Sequence, residues 1–256
     1  RAHPEFLRKL FSTKVPEIAE GIVQIHGVAR EPGERAKIAV STSDERVDPV
    51  GACVGVKGSR VQTIVRELSG ERIDIVSWID EPQIFIERAL SPANVSRVIT
   101  DSRRKHAVVL VDEDQLSLAI GKSGQNSRLA VQLTGWGLDI ITDSQYQERR
   151  AKQEGIQQLL RKIPGVSELI ALSLTTSGFN SIRSVSEATI ELLRTVPGLE
   201  DEDASRKIRT TAENFLAEHG PDVDIVEDSV GNAEETKRNE LPENSYLSSE
   251  NTGKDS

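Results

Sequence analysis

The sequence has no methionine, a single cysteine and few aromatic side chains, 4% of its 256 residues. Each scarcity excludes something. With Cys53 alone no disulfide can close inside the chain, and a reducing compartment is expected. So few aromatics require aliphatic cores and small domains. No apolar run approaches the roughly 18 residues that span a bilayer, so no membrane partner is expected. The opening Arg1-Ala2-His3-Pro4 carries no signal-peptide pattern, and a chain without methionine reads as a piece of a longer protein. Catalytic constellations are missing too. His3, His26, His106 and His219 are scattered, and none stands at metal-ligand spacing from Cys53. No enzyme activity, metal or other cofactor is expected, and Cys53 reads as core.

The net charge of −9 is unevenly placed. From Glu200 onward there are 16 acidic and 6 basic residues, whereas residues 1–199 hold 25 and 26. A near-neutral body can carry a local basic strip, so composition neither supports nor excludes a nucleic acid.

Periodicity divides the chain. Residues 1–14 read as an amphipathic helix carrying Phe6, Leu7, Leu10 and Phe11. Strands follow around Ile22–Val28 and Ile38–Val40, separated by the turn signal Glu31-Pro32-Gly33-Glu34. Two helices broken at Gly55–Gly58 lead to a strand at Ile73–Val76. The order then recurs: helix Gln83–Leu90, strands Val95–Thr100 and Ala107–Asp112, helices broken at Gly121–Gly124, strand Leu138–Ile141. The glycine pairs are 66 residues apart. This predicts an α+β chain with two small units, at 15–80 and 81–144, each a sheet covered by helices. A polar helical linker is expected at 145–154. A second repeat, Leu159–Val166 against Leu192–Leu199, both ending in Pro-Gly and an apolar residue, predicts an all-α helix-hairpin-helix domain over 155–218. Residues 219–256 are acidic and poor in apolar residues, so a disordered tail is expected.

The chemistry lies in the glycine brackets, Gly55-Val56-Lys57-Gly58-Ser59-Arg60 and Gly121-Lys122-Ser123-Gly124-Gln125-Asn126. Glycine lets a phosphate approach the backbone without a Cβ in the way, and the following helix start offers unpaired N–H groups. Lys57 and Lys122 add positive charge; Arg60, or Gln125 and Asn126, complete a grip on sugar or phosphate. Beside each loop the closing strand offers an apolar groove for unstacked bases. A lone Gly-x-x-Gly is usually only a tight helix–helix turn; recurrence in one element order, with a lysine in both copies, favours the grip. A nucleotide P-loop fails, because the glycine it needs five positions before Gly121 is Leu116. Asp74 and Asp139 either contact a base amino group or form the polar face of an exposed strand. Arg103-Arg104-Lys105-His106 either touches RNA backbone or is a solvated hairpin tip. The Pro-Gly hairpins favour protein docking over DNA phosphate, since Glu200-Asp201-Glu202-Asp203 follows the second.

With these residues in view, the chain resembles the NusA family of bacterial transcription termination/antitermination factors. The resemblance rests on His3–Phe11, Val15–Ile18, Val28–Gly33, Asp48–Gly55 and Leu116–Asn126, within about residues 1–142, and extends more weakly to 155–217. It implies tandem prokaryotic-type (type II) KH domains that bind single-stranded nascent RNA through the two brackets, in a monomeric cytoplasmic factor that also binds RNA polymerase and works with other antitermination factors to modulate pausing, termination and antitermination. Residues 1–14 would be the helix after an S1 domain, with that domain and the polymerase-binding N-terminal domain outside this chain. The resemblance further implies that the helical repeats at the family's C-terminal end contact the last domain of the polymerase α polypeptide and mask the RNA-binding surface. Two other readings are a KH-type ribosome-assembly protein, expected to lack the helical C-terminal domain, and a protein-interaction scaffold whose glycine loops are only turns.

Overall fold

The structure, a computed structural model, describes residues 1–220. It is α+β: two three-stranded sheets with helices, then an all-α region. Helix α1 (Pro4–Lys14) begins on a proline, whose missing N–H costs nothing there, and on the His3 ring, which accepts from the Glu5 N–H at 3.2 Å. Its Leu7, Leu10 and Phe11 are buried. After the single turn α2 (Pro16–Ala19), β1 (Val23–Glu31) and β2 (Arg35–Thr42) form an antiparallel hairpin. Helices α3 (Pro49–Val54) and α4 (Ser59–Glu67) then carry the chain over to β3 (Arg72–Ser77), parallel to β2.

The second unit repeats this plan with α5 (Pro82–Ala89), β4 (Arg97–Asp101), β5 (His106–Val111), α6 (Glu113–Ile120), α7 (Gln125–Thr134) and β6 (Gly137–Thr142). Its sheet order is β4-β5-β6, antiparallel then parallel, as β1-β2-β3 is in the first. In both, the closing strand lies at a sheet edge. The strand expected from Val95 starts at Arg97, two residues later.

The central strand β2 is buried on both faces. Ala36, Ile38 and Val40 enter the first core with Leu7, Phe11, Cys53 and Ile64. On the other face Ala39 joins Val76 and Phe85, with Trp78, Ile79 and Leu133 packed around them, in a seam between the units. Lys37 sits in this seam, fully buried. Its Nζ donates to Asp74 Oδ2 at 3.0 Å and to the Ser91 carbonyl of the second unit at 2.7 Å. Burial pulls its pKa down, and the neighbouring Asp74 carboxylate opposes that pull. A second buried pair, Arg30 with Glu71 at 2.6 Å, fixes the β1–β2 turn, because Glu71 also accepts from the Gly33 N–H at 2.8 Å.

From Glu148 the chain forms a separate compact unit. The segment expected as linker lies within helix α8 (Asp143–Leu160). Helices α9 (Glu168–Thr176), α10 (Ile182–Ser186), α11 (Ile190–Leu193) and α12 (Glu202–His219) pack around Leu160, Ile163, Leu174, Ile182, Leu193 and Ala212. The two Pro-Gly turns match in detail. Gly165 and Gly198 have φ of 92° and 91°, and each is followed by an N–H donating three residues back, Val166 to Ile163 and Leu199 to Val196. Of the expected tail, His219 ends α12 and Gly220 caps it; residues 221–256 lie outside the described residues.

Candidate nucleic-acid interface

Each glycine bracket joins two helices through one turn of 3-10 helix. Gly55 and Gly121 adopt φ/ψ of 74°/171° and 77°/170°, a region open in practice only to glycine. Lys57 and Ser123 take the left-handed conformation at 52°/30° and 52°/31°, and Gly58 and Gly124 follow at 78°/11° and 74°/15°. The two loops therefore share one backbone although their side chains differ. The structurally equivalent pairs are Val56 with Lys122 and Lys57 with Ser123, so the lysines sit at adjacent positions of the same turn.

The first glycine of each pair is held by contact as well as torsion. A Cβ on Gly55 would meet Arg60 Cγ at 2.7 Å; one on Gly121 would meet the Asn126 Cβ and backbone N, both at 2.8 Å. The second glycines face more open space: a Cβ on Gly58 meets nothing closer than 3.8 Å, and one on Gly124 meets the Arg128 guanidinium at 3.2 Å. Gly58 and Gly124 are also the N-caps of α4 and α7, and no side chain caps either helix. The first N–H of each helix is taken within the turn, Ser59 donating to the Val56 carbonyl and Gln125 to the Lys122 carbonyl, so the N–H groups expected to be unpaired are not all free. The positive end of the helix dipole still favours an anion beside the loop.

The structure separates the sequence-predicted residues into two groups. Val56, Lys57, Ser59, Lys122 and Ser123 are exposed. Arg60, Gln125 and Asn126 are engaged within the protein. The Arg60 guanidinium pairs with Glu17 at 2.9 Å and donates to the Ala52 carbonyl at 2.6 Å, tying the loop to α2. Glu17 is held below the usual carboxylate range, chiefly by a backbone hydrogen bond, then by Arg60. Asn126 is fully buried and donates to the Leu90 and Ala119 carbonyls at 2.9 and 3.1 Å. Gln125 is buried as well and donates to Glu31 and Glu34 of the first unit at 2.8 and 2.6 Å.

Apolar surface lies near both loops: Val56 in the first, Leu118 and Ile120 in the helix leading to the second. On the closing strands Ile73 and Ile75, and Leu138 and Ile140, are half-buried against the cores. Asp74 spends its carboxylate on Arg35 at 2.7 Å and on Lys37, while its match Asp139 stands opposite Val108. Arg103, Arg104 and Lys105 are exposed at the β4–β5 turn, which Asp101 organises by accepting from the Arg103 N–H at 3.0 Å. Cys53 is buried, its thiol pushed up to about 12 mainly by desolvation. In the all-α unit the Gly198 N–H is already taken by the Glu200 carboxylate at 3.0 Å, which occupies the place a phosphate would need.

Sequence reasoning missed the junction between the units. A cleft of about 720 Å³ lies between the second loop and the β1–β2 turn, with Arg72, Lys122 and Arg128 among its cationic walls and Glu31 and Glu34 among its acidic ones. The acidic turn and the cation two residues past Asn126 were visible, but nothing local in the sequence joined them.

Comparison with known proteins decides the family. Residues 1–78 match the NusA-like first KH domain and residues 82–148 the NusA-like second KH domain. The chain belongs to the NusA family. The transcription termination/antitermination protein NusA of Rickettsia conorii is 41% identical over 220 residues, which cover 84% of this chain and 44% of that protein. The NusA proteins of Halalkalibacterium halodurans and Bacillus subtilis are 55% and 54% identical over 148 residues, 58% of this chain and 39% and 40% of theirs. The chain thus spans about two-fifths of the NusA relatives it matches.

Proposed function

We propose that this chain is the RNA-gripping part of a non-enzymatic transcription elongation factor, binding nascent single-stranded RNA through both KH units and so modulating polymerase pausing, termination and antitermination. The observation that carries this reading is the pair of loops with one backbone, each with an exposed lysine, opening onto an uncapped helix N-terminus. Phosphates pack against the glycines and helix N–H groups; Lys57 and Lys122 supply charge; bases lie on the half-buried strands β3 and β6. The RNA contacts are the two glycine pairs with Val56, Lys57, Ser59, Lys122 and Ser123, and Arg60, Gln125 and Asn126 act by holding the loops. The all-α unit is a protein-docking module, consistent with Glu200 filling its second hairpin. The names of the relatives, transcription termination/antitermination proteins, support the assignment.

The test replaces Val56, Lys57, Lys122 and Ser123 by aspartate together and titrates a short fluorescein-labelled single-stranded RNA. Affinity is expected to fall at least about 100-fold, and the affinity of the unmodified chain to fall steeply with added salt. Unchanged affinity in a folded variant would leave the loops as turns and favour the scaffold reading.

A further inference from the structure

The two loops share a backbone, but among the described residues only the second is braced from outside its own unit. Arg128, one turn into α7, lies between two acceptors. Its guanidinium donates to the carbonyl of Ser123, the left-handed residue of the loop, and its Nε and Nη2 stand 3.0 Å from Glu31 Oε1 on the β1–β2 turn of the first unit. Beside it, Gln125 donates to Glu31 and Glu34. That turn is itself fixed by the buried Arg30–Glu71 pair through the Gly33 N–H. The matching position in the first loop, 66 residues earlier, is Gln62, and no hydrogen bond from it to Lys57 appears among the described residues.

We infer that Glu31 and Arg128 are positioning residues for RNA binding by the second loop: the first KH unit holds the second unit's phosphate-binding backbone in its binding conformation. The carboxylate orients the guanidinium, the guanidinium holds the Ser123 carbonyl, and the strained turn is fixed before RNA arrives. Preorganised groups bind more tightly because ordering has been completed in advance, and a hydrogen bond between two charged groups is the strong kind. Arg128 remains half-exposed and Lys122 is exposed, so the brace leaves the cleft beside the loop open. Glu31 sits below the usual carboxylate range, first because Gln125 and then because Arg128 donates to it.

This inference rests on the RNA reading above, and the experiment separates the two. Glu31→Ala is placed in the full chain in two backgrounds, one with the first loop disabled (Val56→Asp with Lys57→Asp) and one with the second disabled (Lys122→Asp with Ser123→Asp). With the labelled RNA, binding is expected to weaken about five- to ten-fold in the first background and to stay unchanged in the second. Removing a carboxylate near RNA would by itself strengthen binding, so the direction is diagnostic. Hydrogen exchange at residues 122–125 of the RNA-free chain should accelerate about ten-fold while residues 56–59 are unaffected, and Glu31→Gln, which keeps the volume, should fall between. Unchanged or tighter binding in the first background, or unchanged exchange at residues 122–125, would overturn the inference. If neither pair of loop aspartates affects RNA binding, the RNA reading fails on its own, and exchange still reports on the brace.

Discussion

The first and second glycine loops agree in torsion to within about five degrees and differ in almost everything that holds them. The first is pinned by a long, half-buried arginine that reaches a carboxylate in its own unit. The second is pinned by a short amide sealed in the core and by an arginine that reaches the neighbouring unit. A backbone shape can thus be kept while its supports are exchanged, provided each support stops the same residue from moving. The difference also assigns dependence: the first loop is anchored within its own unit, and the second relies in part on its neighbour.

Substitutions at matched positions sharpen this comparison. The largest effect is expected from replacing the first glycine of each loop. Gly121→Ala forces a Cβ against the fixed Asn126 backbone in a torsion region closed to alanine, and should cost about 3 to 4 kcal/mol in urea unfolding. Gly55→Ala meets the movable Arg60 side chain and should cost about 2 to 3 kcal/mol. Equal losses would show that torsion alone is limiting. Next comes the residue five positions on. Asn126→Ala removes the amide donor to the Ala119 carbonyl and one of two donors to the Leu90 carbonyl, which also accepts from the Ala93 N–H at 3.2 Å, and should lower stability by about 2 kcal/mol, whereas Arg60→Ala breaks a half-exposed ion pair at about 1 kcal/mol; the reverse order would contradict the stronger pinning of the second loop. Of the second glycines, Gly58→Ala should lose about 1 kcal/mol from positive φ alone, and Gly124→Ala more than that, because its Cβ would stand 3.2 Å from the Arg128 guanidinium.

Cys53 and Ala119 occupy matched places, both fully buried. Cys53→Ala should therefore be tolerated, at about 1 kcal/mol, with the native thiol slow to alkylate at pH 8 because its protonated form persists to about pH 12. The smallest effect is set by acid. Because its native pKa is lowered, Glu31 contributes stability that is complete above its unfolded value near 4.3 and lost as pH falls through the native value. The gap in unfolding free energy between the unmodified chain and Glu31→Gln, present at pH 6, should shrink as pH falls below the unfolded value and close once Glu31 is protonated in the folded chain. A gap that persists there would assign the difference to packing rather than charge.

Much of this was legible beforehand for a physical reason: periodicity and glycine placement are local, so the helix–strand order, the duplicated unit and both brackets could be read residue by residue. The Pro-Gly repeat of the all-α unit was legible for the same reason. What could not be read was how the polar residues beside the loops are used. Arg60, Gln125 and Asn126 looked like phosphate or sugar contacts because they follow a glycine turn, yet each finds a partner far away in sequence, Gln125 at Glu31 across 94 positions. Lys37 and Asp74 were equally opaque, since a lysine in a strand gives no local sign that another unit will cover it. One clue was present: position five after the first glycine is arginine in one loop and asparagine in the other, chemically unlike residues that a shared RNA contact would not obviously select.

A repeated unit can be finished on every side, like a bead that can be restrung. Lys37 shows that this pair is no longer of that kind. Its ammonium, with no solvent exposure, is shared between a carboxylate of its own sheet and a carbonyl of the next unit. Cutting between the units would expose a surface built for the interior and strip a buried charge of one partner. Lineages and protein engineers alike would then have to move the two together, as one indivisible cassette.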